Sequence, residues 1–206
     1  MNLPNKLSIL RILLIPLMVA VFLIPSMPYK FLIVAVIFTL SSITDFLDGY
    51  IARKYNLVTD LGKFLDPIAD KILVLTSLIL IIADPTILSG SFASLGILSK
   101  ENCLILYQVR GVVGVSIIVA REMIVTVLRM LASSKGKVLS AEKVGKVKTF
   151  VTDVAICLLF IARQFITITF GVVVYFIGFA LFIISVVLTV YSGVYYIVKN
   201  KDVFKA

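Results

Sequence analysis

The chain of 206 residues has no histidine and no tryptophan, and its two cysteines, Cys103 and Cys157, stand far apart in no metal-ligand spacing. A zinc or heme site of the usual kind is thereby excluded, and both thiols are expected to be packing residues. Charge is scarce as well, at 15% of residues against 61% hydrophobic, and the mean hydropathy is +1.13. Such a composition lies outside the soluble globular range and excludes an ordinary water-soluble domain. The formal charge of +9 comes from 20 basic and 11 acidic residues. Most of the basic residues flank apolar stretches and no aromatic-basic recognition module accompanies them, so no nucleic-acid partner is expected.

What is present is a series of apolar stretches long enough to cross a hydrocarbon core of roughly 30 Å, where near-continuous hydrophobic runs favour helices. Six spans are expected, at about 7–25, 31–52, 64–83, 104–132, 149–169 and 172–197, making one all-α integral membrane domain over 1–206. No small-x-small cleavage site follows the polar start of the first span, so that span is expected to be retained. Lys6, Arg11, Arg53, Lys54, Lys63, Lys71, Arg129 and the lysines of 135–148 and 199–205 then share one side. The positive-inside rule makes that side cytoplasmic, with both termini on it. The aromatics Phe165, Phe170, Tyr175, Tyr191, Tyr195 and Tyr196 fit an interfacial belt, and Gly171, Gly178 and Gly193 suit helix packing or a dimer contact.

One segment breaks the apolar pattern: DFLDGYIARKYNLVTDLGKFLDPIAD, from Asp45 to Asp70. Asp45 and Asp48 share a face of the second span, Asp66 and Asp70 a face of the third, and the short connection between the spans brings the two pairs together. Four carboxylates at a membrane boundary repel one another unless cations compensate them. Hard oxygen donors without histidine or thiolate select Mg²⁺, Mn²⁺ or Ca²⁺. Gly49 and Ala52 leave the helix surface bare beside the acids, either for a ligand or for a helix contact. Arg53 can grip a phosphate or anchor the helix, and Gly62 is expected to permit a turn before the third helix.

The pattern Asp45-x2-Asp48-Gly49-x2-Ala52-Arg53-x8-Gly62-x3-Asp66-x3-Asp70 resembles the complete signature of the CDP-alcohol phosphatidyltransferases, with all eight fixed positions present. Asn-Leu-Pro-Asn-Lys-Leu-Ser-Ile-Leu-Arg at 2–11, Lys63 to Lys71, Ala120-Arg121-Glu122, Gly145 to Thr149 and Lys201 to Lys205 are similar to the bacterial phosphatidylglycerophosphate synthases within that family. The segment Asp84–Arg110 is longer than that pattern. The resemblance implies a six-transmembrane-helix bundle with a cytoplasm-facing active site in the cell membrane, commonly a homodimer. It implies Asp45, Asp48, Asp66 and Asp70 as ligands of two Mg²⁺ or Mn²⁺ ions, Asp70 also being the catalytic base. It further implies that Asp48, Gly49, Ala52, Arg53 and Gly62 receive the CDP group of CDP-diacylglycerol.

The acceptor, sn-glycerol 3-phosphate by the same resemblance, must find its phosphate site among the remaining cations. Arg121 within a span, with Lys143, Lys146 and Lys148, is the candidate set, and Asp153 can balance it. Arg121 can instead be paired internally with Glu122, and Lys148 can snorkel to the interface. Two rival readings keep the chemistry and change the alcohol, to phosphatidylglycerol or inositol phosphate, and a third is a small cation transporter. A transporter needs polar groups at successive depths, whereas these acids lie at one boundary.

Overall fold

The computed structural model describes residues 2–55, 59–89, 105, 108–134 and 143–200. They form helices α1 (Leu3–Leu23), α2 (Lys30–Lys54), α3 (Asp60–Ala83), the short α4 (Pro85–Ser89), α5 (Gly114–Ser134), α6 (Lys143–Gln164) and α7 (Thr169–Lys199). A π-helical turn, Gln108–Val113, leads into α5. No strand occurs among the described residues. Six of these helices are long, and even the shortest, at 21 residues, reaches roughly 30 Å. Among the described residues four stretches are both long and apolar enough to cross a membrane: Asn5–Leu23, Lys30–Gly49, Gly111–Ala132 and Thr169–Lys199. α3 and α6 carry Asp66, Asp70 and Lys71, and Lys148, Asp153 and Arg163, into their apolar runs.

Two of the boundaries that differ from the expected ones bear on the site. α3 starts at Asp60, because the Thr59 hydroxyl caps it by accepting from the Gly62 N–H at 3.0 Å. α6 starts at Lys143, a turn and a half before the expected span, which makes Lys146 and Lys148 helical. The expected exterior segment contributes α4, while 90–104, and Cys103 with it, lies outside the described residues.

α1 packs against both α2 and α3, α6 pairs with α7, and α2 meets α6 at the centre, where Phe38, Leu73, Ile81, Ile118, Leu159 and Phe160 are buried. The buried stripe of α7 is rich in small and hydroxyl residues, Gly171, Gly178, Ser185, Thr189, Ser192 and Gly193, set among Val174, Tyr175, Phe182 and Tyr196, while Val187, Val190 and Val194 face outward. This inverted pattern is that of a helix surrounded by hydrocarbon, where close backbone approach replaces the hydrophobic drive between helices. Gly178 lies against α6: a Cβ there would meet Leu158 Cβ at 3.0 Å. Tyr175 and Tyr196 depart from the expected belt, since both are buried, Tyr175 donating to the Leu88 carbonyl at 2.7 Å. A phenol that finds an internal acceptor has no need of the interface.

Candidate active site

Asp45 and Asp48 project from α2, and Asp66 and Asp70 from α3. What joins Asp45, Asp48 and Asp66 is α1, through a polar face of Asn5, Ser8 and Arg11 at every third position. Ser8 Oγ donates to Asp66 Oδ1 at 2.6 Å. Arg11 is fully buried; its Nη2 donates to Asp48 Oδ2 at 2.6 Å and its Nη1 pairs with Asp45. A planar guanidinium offers its donors in a fixed fork that spans two carboxylates set three residues apart on one helix, a reach and geometry that the single nitrogen of an ammonium does not have. Arg11 is therefore a member of the constellation rather than an orientation charge, and the sequence reading missed it. The signal available was the spacing Asn5-x2-Ser8-x2-Arg11 in an otherwise apolar helix.

Gly62 lies inside α3 and forms no turn. It faces α1, where a Cβ would stand 2.9 Å from Asn5 Oδ1 and 3.2 Å from Thr59 Oγ1, and Thr59 in turn donates to Asn5 at 2.9 Å. Close approach of α1 is thus what glycine provides here. Gly62→Leu is expected to destabilise the protein by about 1–3 kcal/mol through overpacking. Gly62→Ala is expected to be nearly neutral, a helix-propensity gain of up to about 1 kcal/mol offsetting the shift of the Asn5 amide. Thermal melting in detergent checks both, and a Leu variant that melts with wild type would remove this contact. Gly49 is half-buried on α2, while the side chains of Ala52 and Arg53 lie outside the described residues.

The four acids repel one another: Asp48 feels Asp45 and Asp66, Asp70 feels Asp45, and Arg11 opposes the repulsion at both. No three carboxylates among the described residues already stand as a metal cluster, because Asp45 and Asp48 are turned onto Arg11. The donor set nonetheless suits a hard divalent cation, since Asp45, Asp48, Asp66 and Asp70 offer only oxygen and Arg11 answers just the first two.

Asp70 also lines a cleft with Lys71, Ile118, Glu122, Lys148, Thr149 and Thr152. Lys148 is 3% exposed, so it does not snorkel; it pairs with Glu122, as does Arg121 Nη1 at 2.9 Å. Of the alternatives posed for Arg121, the structure shows the internal pair with Glu122, which Lys148 joins. Arg121 Nη2 donates to Ser192 Oγ at 3.1 Å, and Lys71 Nζ to Thr126 Oγ1 at 2.7 Å. Lys146 is exposed and does not line the cleft, and the Lys143 side chain lies outside the described residues. Asp153 Oδ1 is buried and has no hydrogen-bond partner among the described residues.

The family model for CDP-alcohol phosphatidyltransferases matches residues 1–191. Curated relatives named CDP-diacylglycerol--glycerol-3-phosphate 3-phosphatidyltransferase include one from Bacillus subtilis (strain 168), 35% identical over 99% of this chain and 97% of its own. Another, from Rickettsia bellii, is 37% identical over 79% of this chain and 77% of its own. A third, from Salmonella choleraesuis, is 32% identical over 95% of this chain and 93% of its own. With the eight-position signature intact, Asp45 and Asp48 of it paired to Arg11, and relatives matching nearly end to end, the chain belongs to the CDP-alcohol phosphatidyltransferase family.

Proposed function

We propose that the protein transfers the phosphatidyl group of CDP-diacylglycerol to sn-glycerol 3-phosphate, forming phosphatidylglycerophosphate and CMP. The observation that carries this is Asp70, which belongs to the carboxylate constellation and also lines the cleft that holds Lys148 and Glu122. A base placed between a site for the donor pyrophosphate and a cation-lined site for the acceptor suits displacement at phosphorus. The names of the relatives supply both substrates.

In this reading Asp45, Asp48, Asp66 and Asp70 hold two Mg²⁺ or Mn²⁺ ions, which when bound neutralise charge on the attacked phosphate and its leaving group. Gly49, Ala52, Arg53 and Gly62, with Asp48, receive the CDP group. Asp70 takes the proton of the acceptor hydroxyl as its oxygen attacks the lipid-side phosphorus. The new P–O bond forms as the bond to CMP breaks, and CMP leaves with the electron pair. Arg121 and Lys148, with Lys71 nearby, hold the acceptor phosphate, which favours a phosphorylated acceptor over an uncharged one. Six membrane spans, a cytoplasmic site where CDP and glycerol phosphate are available, and a homodimer belong to the same reading. The orientation is supported by the distribution of Lys and Arg, and the homodimer by the family resemblance alone.

Purified protein in nanodiscs with CDP-diacylglycerol and a panel of acceptors tests it. CMP release is expected with glycerol phosphate when Mg²⁺ or Mn²⁺ is present, to stop with EDTA and to resume when metal is restored. No CMP with any acceptor would overturn the enzyme reading, and full activity after chelation would overturn the metals.

A further inference from the structure

Arg121 Nη1 and Lys148 Nζ donate to one and the same atom, Oε1 of Glu122. Two cations from different helices thus converge on a point that an anion fills, and here the chain supplies that anion. The arrangement is braced on each side. Ser192 holds the second amino group of Arg121 at 3.1 Å, and the absence of a side chain at Gly193 admits the arginine stem, whose Cγ would lie 3.0 Å from a Cβ there. Thr126 donates to the Glu122 carbonyl at 2.7 Å and accepts from Lys71 at 2.7 Å. With Glu122 so placed, the cleft beside it has a volume of about 30 Å³. That space admits water beside Glu122 while its carboxylate stays in place.

We infer that Glu122 is a specificity-determining residue, an internal anion that holds the meeting point of Arg121 and Lys148 and has to yield it to the acceptor's phosphate. The inference rests on the acceptor reading above. A phosphate monoester carries a charge of about −1.5 to −2 and three acceptor oxygens, so it can engage both cations at once. A carboxylate left in place beside it would repel it strongly in a poorly screened site. Without Glu122, however, two half-buried to buried cations would have no counter-charge when no acceptor is bound. The carboxylate therefore stabilises the free enzyme and competes with the ligand. If the arrangement with Glu122 withdrawn is populated about one part in ten, apparent acceptor affinity is lowered about tenfold. A phosphodiester or an uncharged alcohol has less charge with which to displace the carboxylate, so Glu122 sorts acceptors by charge.

The test is Glu122→Gln in nanodiscs, assayed by CMP release. The KM for glycerol phosphate is expected to fall about tenfold, with a smaller change in kcat, and competitive inhibition by inorganic phosphate is expected to tighten in parallel. Discrimination against glycerol, which lacks the phosphate, is expected to narrow. Glu122→Asp keeps the charge and draws it back, so its KM is expected between the two; it covers the case in which the Gln variant does not fold. A folded Gln or Asp variant whose KM and phosphate inhibition are unchanged or weaker overturns the inference. Lys148→Gln separates this from the acceptor reading. If it raises the KM while Glu122→Gln does not lower it, the role of Glu122 fails and the acceptor site stands. If it moves neither KM nor phosphate inhibition, the acceptor site itself fails.

Discussion

Asp70→Asn is expected to lower turnover by about two to four orders of magnitude, the range that a positioned base supplies to a proton transfer. The amide keeps the shape and most of the hydrogen-bonding capacity of the carboxylate but cannot take a proton, so the loss reports on chemistry more than on packing. Asp70 is half-buried and adjoins Lys71, Lys148 and Thr149 in the cleft, where an acceptor hydroxyl would approach. Its second proposed role, as a metal ligand, is separated by titrating Mn²⁺ with electron paramagnetic resonance. Loss of turnover with Mn²⁺ affinity retained assigns Asp70 as base; loss of both assigns it to the metals. Near-normal turnover would remove it from the chemistry.

Arg11→Gln is expected to have the largest effect on stability. The Arg11–Asp48 pair is buried on both sides, at 0% and 2% side-chain exposure, whereas Asp45 is 39% exposed and partly screened by solvent. Removing one partner of a buried pair costs about 3–5 kcal/mol, because the other is left as an uncompensated charge. The lower end applies here, since Asp45 can still turn to water. Arg11→Lys is expected to recover only part of the loss, one ammonium being unable to fork to two carboxylates as a guanidinium does. Divalent cations should compensate the stranded acids, so Mg²⁺ or Mn²⁺ is expected to raise the melting temperature of Arg11→Gln more than that of wild type. A variant that melts with wild type in EDTA would show that the pair contributes nothing.

The two halves of the site differ in how far they could be read before the fold was known. Asp45, Asp48, Asp66 and Asp70 were legible because acids in a hydrocarbon setting are costly and their spacing places each pair on one helix face. Asn5, Ser8 and Arg11 were not recognised as their partners, because each is an unremarkable polar residue near a helix end until α1 is known to lie between α2 and α3. Gly62 was explained by the wrong property, conformational freedom, when its neighbour across the interface was the reason. At the proposed acceptor side the internal pairing of Arg121 with Glu122 was legible from their adjacency, whereas the sharing of that same oxygen by Lys148 needed the fold, which brings α6 to α5.

The sequence by itself determined the solvent, the helices and the chemistry of the carboxylates. Hydropathy, helical spacing and residue type are properties of the chain that hold wherever its helices pack. Only the tertiary structure decided which charge answers which: Arg11 for Asp45 and Asp48, Ser8 for Asp66, Glu122 for Arg121 and Lys148. In a poorly screened interior an ionic group must meet its partner directly, within hydrogen-bonding distance. Apart from the adjacent Arg121 and Glu122, those partners lie 26 to 58 positions apart in the chain, and only the packing of helices brings them within reach.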